Sequence, residues 1–112
     1  MDDLLEVRTQ TTAETLHVTL SGELDMDHVD QLKREIQPLW DSALTAVIID
    51  VRALRYVDSL GLKEFVRLNR EAQNRSISFS LYIPEDFHTA RVVDLTGLAQ
   101  MTRVVRVPSP TA

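Results

Sequence analysis

Alternation constrains this chain more than any other feature. In Leu16-His17-Val18-Thr19-Leu20-Ser21 the apolar residues occupy every second position, and they do so again in Ile77-Ser78-Phe79-Ser80-Leu81-Tyr82-Ile83. A period of two means a strand with one buried face and one wet face. Two such strands predict a sheet covered by helices on one side, leaving His17, Thr19, Ser21, Ser78, Ser80 and Tyr82 exposed on the other. A third run, Ala46-Val47-Ile48-Ile49-Asp50-Val51, is almost continuously apolar and β-branched, as a central strand should be. Leu4 to Thr9 and Met101 to Val107 are weaker strand candidates.

Helical spacing fills the gaps between these strands. Val29, Leu32, Ile36, Leu39 and Trp40 recur every three or four residues, with Asp27 as the expected N-cap and Asp30 in the first turn. Pro38 should kink that helix or end it nearby. Leu62, Phe65, Val66, Asn69 and Ala72 mark a second amphipathic stripe, opened by Asp58-Ser59. A third helix is expected to start at Pro84-Glu85-Asp86 and close at Gly97. The tail from Pro108 to Ala112 is expected to be loose. Strand–helix–strand units favour parallel neighbours with right-handed crossovers, whereas the opening pair of strands should be antiparallel. The expected fold is α/β, a small mixed sheet of about five strands with about three helices mainly on one face.

Composition narrows the function. Of the 112 residues 44% are hydrophobic, enough for one folded domain over 1–112. The net charge of −5 argues against non-specific nucleic-acid binding. There is no cysteine, which excludes disulfides, Cys-ligated zinc and a cysteine nucleophile. Met1-Asp2-Asp3-Leu4-Leu5-Glu6 starts acidic and has no apolar core like that of a signal peptide, and no apolar run approaches the ~20 residues of a membrane span. A cytoplasmic location without direct membrane contact is the expectation.

Few residues suggest chemistry. The three glycines form no phosphate-cradling pattern. Gly22 and Gly97 read as turn and cap positions, but Gly61 in a first helical turn implies a close approach to its backbone. Asp25-Met26-Asp27-His28-Val29-Asp30 fails the calcium-loop pattern at Val29 and lacks the glycine. His17, His28 and His88 share no metal-ligand spacing. Neither a metal, a cofactor nor a catalytic residue is expected. What remains is Tyr56-Val57-Asp58-Ser59-Leu60-Gly61-Leu62, where a strand gives way to a helix through a polar pair. A helix N-terminus accommodates an anion, although capping by Asp58 or Ser59 explains the pair more economically.

This segment resembles the STAS domain family, named for sulfate transporters and anti-sigma factor antagonists. Ser21-Gly22-Glu23-Leu24-Asp25 resembles the family's G-E-[LI]-D motif at the end of the second strand. Val47-Ile48-Ile49-Asp50-Val51, followed by Tyr56 to Leu62, resembles its central strand and D-S-[ST]-G-L signature. Arg91-Val92-Val93-Asp94-Leu95-Thr96-Gly97-Leu98 resembles its third helix. The three motifs occur in the family's order and cover nearly the whole chain.

The resemblance implies a non-enzymatic, protein-binding switch. Stand-alone members of this size sequester an anti-sigma factor, commonly itself an ATP-dependent serine kinase, and thereby free a sigma factor. The kinase phosphorylates the antagonist at the start of the second helix, and a phosphatase resets it. The phosphate adds about −1.5 to −2 charge. The usual acceptor directly precedes the glycine, and here that residue is Leu60. Ser59 is then the candidate acceptor, in an arrangement closer to stressosome scaffold proteins, or the module does not switch by phosphate. Asp25, Asp58, Ser59, Leu60, Gly61, Leu62 and Lys63 form the expected partner surface, with Gly61 letting a partner approach. The alternative reading is a STAS subunit of a membrane lipid-transport ATPase complex acting without a phosphate switch.

Overall fold

The computed structural model describes residues 4–84 and 103–107. Five strands form one sheet in sequential order: β1 (Leu5–Thr12), β2 (Thr15–Leu24), β3 (Ala46–Val57), β4 (Ser78–Pro84) and β5 (Arg103–Val107). β1 and β2 are antiparallel, closed by the Thr12–Thr15 pair, with Ala13 at φ +56°. β2, β3, β4 and β5 run parallel to one another. Two helices, α1 (Val29–Ile36) and α2 (Ser59–Asn74), connect β2 to β3 and β3 to β4.

Alternation becomes a core in the expected way. Leu16, Val18 and Leu20 of β2, Val47, Ile49 and Val51 of β3, and Phe79, Leu81 and Ile83 of β4 are buried. They join Leu32 and Ile36 of α1 and Leu62, Phe65, Leu68 and Ala72 of α2 in one cluster. Each large apolar side chain removed from water contributes about 1.5–3 kcal/mol, so the helices are held by their inner faces rather than by propensity. On the other side of the sheet His17, Thr19 and Ser78 are exposed, as the alternation requires.

Ser21, Ser80 and Tyr82 depart from that expectation, Ser21 being half-buried. Ser80 is only 7% exposed and Tyr82 is half-buried. β4 is an interior strand, and Ser80 sits in register between Ile48 of β3 and Arg103 of β5. A small side chain between two larger neighbours is shaded even on a face that neither α1 nor α2 covers.

Several local expectations are also corrected. Asp27 does not cap α1: the N-cap position is His28, without a side-chain cap bond. The helix ends at Ile36, and Pro38 sits in a short 3-10 turn, Gln37–Leu39, where its missing N–H is tolerated. Pro84 does not open a helix; it is buried, belongs to β4 and pairs with Val107. Gly22 is not a turn residue but lies inside β2 at φ +93°, beside an irregularity in the pairing with β3. A Cβ there would stand 2.0 Å from the Leu4 carbonyl oxygen, so only glycine fits. The expected third helix, its Arg91–Leu98 motif, Gly97, His88 and the tail from Pro108 lie outside the described residues.

Candidate functional site

The end of β3 outruns β4. Residues 46–50 of β3 pair with β4, while its pairing with β2 continues to Val57 opposite Leu24. β2 and β3 therefore finish side by side, and the chain leaves them as the Asp25 loop and as α2. Asp58 stands at this junction. Its N–H donates to the Leu24 carbonyl at 3.1 Å. One carboxylate oxygen accepts the Gly61 N–H at 3.0 Å, as an N-cap should, and the other accepts the Met26 N–H at 3.1 Å.

Asp25 folds its own loop. Its Oδ1 accepts from the Asp27 N–H at 3.0 Å and lies 2.7 Å from His28 Nδ1, while its carbonyl accepts from the His28 and Val29 amides. Both aspartates are half-buried, with their carboxylates committed to backbone N–H groups or to imidazole. Among the described residues, no group of three or more His, Cys, Asp or Glu side chains is placed to hold a metal ion.

The other sequence-derived residues divide cleanly. Ser59, Leu60 and Lys63 are exposed on the first turn of α2, with Leu60 at 41%. Gly61 and Leu62 are buried and offer no surface. The expectation that Gly61 admits a partner is corrected, because the close approach comes from within the chain. A Cβ at Gly61 would meet Val57 Cγ2 at 2.7 Å, the Leu24 carbonyl oxygen at 2.8 Å and Leu24 Cγ at 2.9 Å. Glycine lets α2 start directly against the ends of β2 and β3.

Sequence reasoning missed the cleft beside Ser59. A groove of about 350 Å³ runs between α1 and α2. Met26, Val29, Asp30 and Lys33 line one side. Leu60, Lys63, Glu64 and Arg67 line the other. Glu64, 3% exposed, accepts two hydrogen bonds from the Arg67 guanidinium at 2.8 and 2.6 Å. That pairing, with the Glu64 charge, holds the Arg67 pKa above the usual guanidinium range. Met26, 69% exposed, and Leu60 are large apolar side chains left in water at the rim. Residues 60, 63, 64 and 67 share one helical face by spacing alone, but only the packing shows which α1 residues oppose them.

A five-stranded mixed sheet whose second helix opens on an exposed serine makes this a small α/β domain. The model of the family described as "Mlab, STAS domain" matches residues 7–106, and the chain belongs to the STAS domain family. Solved structures share the fold. An anti-sigma factor antagonist from Mycobacterium paratuberculosis is 22% identical with a TM-score of 0.85, over 96% of this chain and 90% of the other. The anti-sigma factor antagonist SpoIIAA in its unphosphorylated form is 24% identical with a TM-score of 0.68, over 93% and 89% of the two chains. The Bacillus cell fate determinant SpoIIAA in its phosphorylated form is 25% identical with a TM-score of 0.67, over 89% and 91%. No curated protein sequence matches the chain. Among the described residues, no helix is long and apolar enough to cross a membrane.

Proposed function

We propose that this chain is an anti-sigma factor antagonist: a cytoplasmic, non-enzymatic module that binds an anti-sigma factor with serine-kinase activity, with Ser59 as its phosphorylation site. The observation that carries this reading is the exposed Ser59-Leu60 pair at the N-terminus of α2, beside the groove and braced from beneath by Asp58. A kinase can reach the Ser59 hydroxyl without unfolding the helix. A phosphate there places about −1.5 to −2 charge next to Asp58 and one residue from Leu60 of the groove, changing docking by repulsion while the fold persists. The names of the structurally similar proteins, one of them described in phosphorylated form, support the same reading.

Leu60 occupies the position where the family's usual acceptor stands, so the cognate kinase should modify Ser59 slowly and Leu60→Ser should create a faster acceptor. The test incubates wild type, Ser59→Ala and Leu60→Ser with an anti-sigma factor kinase of the source organism and ATP, then weighs the intact proteins. Label on wild type that Ser59→Ala abolishes supports the switch. Tight binding to a transport ATPase subunit, with no label on any variant, would replace it by the transport-complex reading.

A further inference from the structure

We propose that the groove between α1 and α2 is a docking site for an acidic amphipathic helix of a partner protein, seated by an aliphatic side chain between Met26 and Leu60 and by carboxylates reaching Lys33 and Lys63. The inference rests on reading the chain as a protein-binding module and assigns the chemistry of what it binds.

Charge complementarity selects the occupant. The whole chain carries −5, yet the groove has Lys33, Lys63 and Arg67 against Asp30 and Glu64, a local excess of one positive charge. Glu64 is already neutralised by two hydrogen bonds from Arg67. Lys33 and Lys63 form no ion pair among the described residues. Two lysines thus stand on opposite walls, one on each helix, and of the two carboxylates that line the groove only Asp30 is not already paired with Arg67. A basic or neutral segment would meet uncompensated lysines, whereas an acidic one pairs with both.

The apolar component favours a helix over an extended segment. Met26 and Leu60 flank one mouth of the groove, and Val29 lies half-buried behind them. Methionine adapts its shape to an incoming side chain at little cost. A groove walled by two helices is the kind of surface into which an amphipathic helix lays residues spaced i, i+3, i+4 and i+7. Duplex DNA shares the negative charge but has no aliphatic anchor, and an anionic membrane has both but presents them as a flat surface rather than as a ridge that fills a groove. They are the competing occupants.

The test uses the full-length ¹⁵N-labelled protein and two synthetic helical peptides with the same leucine stripe, one flanked by glutamates and the other by lysines. The glutamate peptide is expected to shift the amides of Met26, Val29, Lys33, Leu60 and Lys63, and added salt should weaken it. Lys33→Glu with Lys63→Glu should weaken the glutamate peptide about tenfold, the scale of two screened ion pairs, and should strengthen the lysine peptide. Because both lysines are exposed, the spectrum of the double variant reports its fold directly. Equal affinity for the two peptides, no shift with either, or shifts on the uncovered face of the sheet would overturn the proposal. So would the same amides responding to duplex DNA or phosphatidylglycerol vesicles more strongly than to the glutamate peptide. If the kinase binds and labels Ser59 while the glutamate peptide fails, the groove proposal falls and the antagonist reading stands. If the peptide docks as expected, no variant is labelled and a transport ATPase subunit binds tightly, the antagonist reading falls instead.

Discussion

The Asp58 carboxylate accepts the backbone N–H of Met26 at 3.1 Å, so a residue at the start of α2 holds a residue 32 positions earlier, in the loop that leads to α1. Its other oxygen caps α2 through Gly61. One side chain therefore sets where Ser59 and Leu60 stand relative to Met26, which is the geometry of the groove mouth.

Removing that clasp should be costly for a surface residue. Asp58→Ala loses an N-cap, worth about 0.5–2 kcal/mol, and a second hydrogen bond, worth about 0.5–1.5 kcal/mol. Chemical denaturation should show a loss of roughly 1–3.5 kcal/mol for the two together, and the Met26 amide should exchange faster in the variant. A loss under about 0.5 kcal/mol, typical of an unengaged surface site, would mean the clasp does not persist in solution.

Gly61→Ala sets two effects against each other. Alanine gains about 1 kcal/mol of helix propensity over glycine. Its Cβ, however, would stand 2.8 Å from the Leu24 carbonyl oxygen, a backbone atom held in β2 that cannot move aside. Overpacking of this kind costs about 1–3 kcal/mol, so the variant should be destabilised despite the better helix former. Thermal unfolding decides the sign, and a rise in melting temperature would contradict the packing argument.

The Glu64–Arg67 pair should respond asymmetrically. Arg67→Ala leaves a carboxylate of 3% exposure without its partner. Glu64→Gln leaves an arginine whose side chain is 39% exposed and can turn to water. Breaking a fully buried pair costs about 3–5 kcal/mol. Solvent at Arg67 reduces that to about 1–3 kcal/mol. Denaturant midpoints should fall further for Arg67→Ala than for Glu64→Gln, and the reverse order would refute this account.

Glu6 provides a pH test away from the site. Hydrogen bonds from Arg8 and then Ser21, followed by the charge of Arg8, lower its pKa from the usual 4.5. A depressed carboxylate pKa contributes stability above the unfolded value, and that contribution is lost as pH falls through the folded value, so the window lies below 4.5. Carboxyl-detected NMR titration should find Glu6 below ordinary glutamates. Arg8→Ala should return it upward more than Ser21→Ala does, and salt should shrink the Arg8 effect because the pair is exposed.

The residue order alone determined the alternating strands, the sheet face that α1 and α2 cover and the start of α2. Period-two alternation in β2 and β4 and the β-branched run in β3 are properties of neighbouring residues, so no tertiary information is needed to see them. Pro38 ended α1 for an equally local reason, a missing N–H and a ring that clashes with the preceding turn. Tertiary structure decided the rest. β3 continues through Arg52, Arg55 and Tyr56, which have no strand-like alternation, because β2 remains beside it to accept the pairing. Ser80 is shaded by strands on both flanks, and Gly61 is required by Leu24 and Val57 rather than by a partner. Asp25 turns its carboxylate into its own loop, and Met26 and Leu60 line one groove where Asp58 joins two chain segments. Helical spacing shows which residues share a face, but which faces meet depends on packing between segments some thirty residues apart, and no local pattern carries that distance.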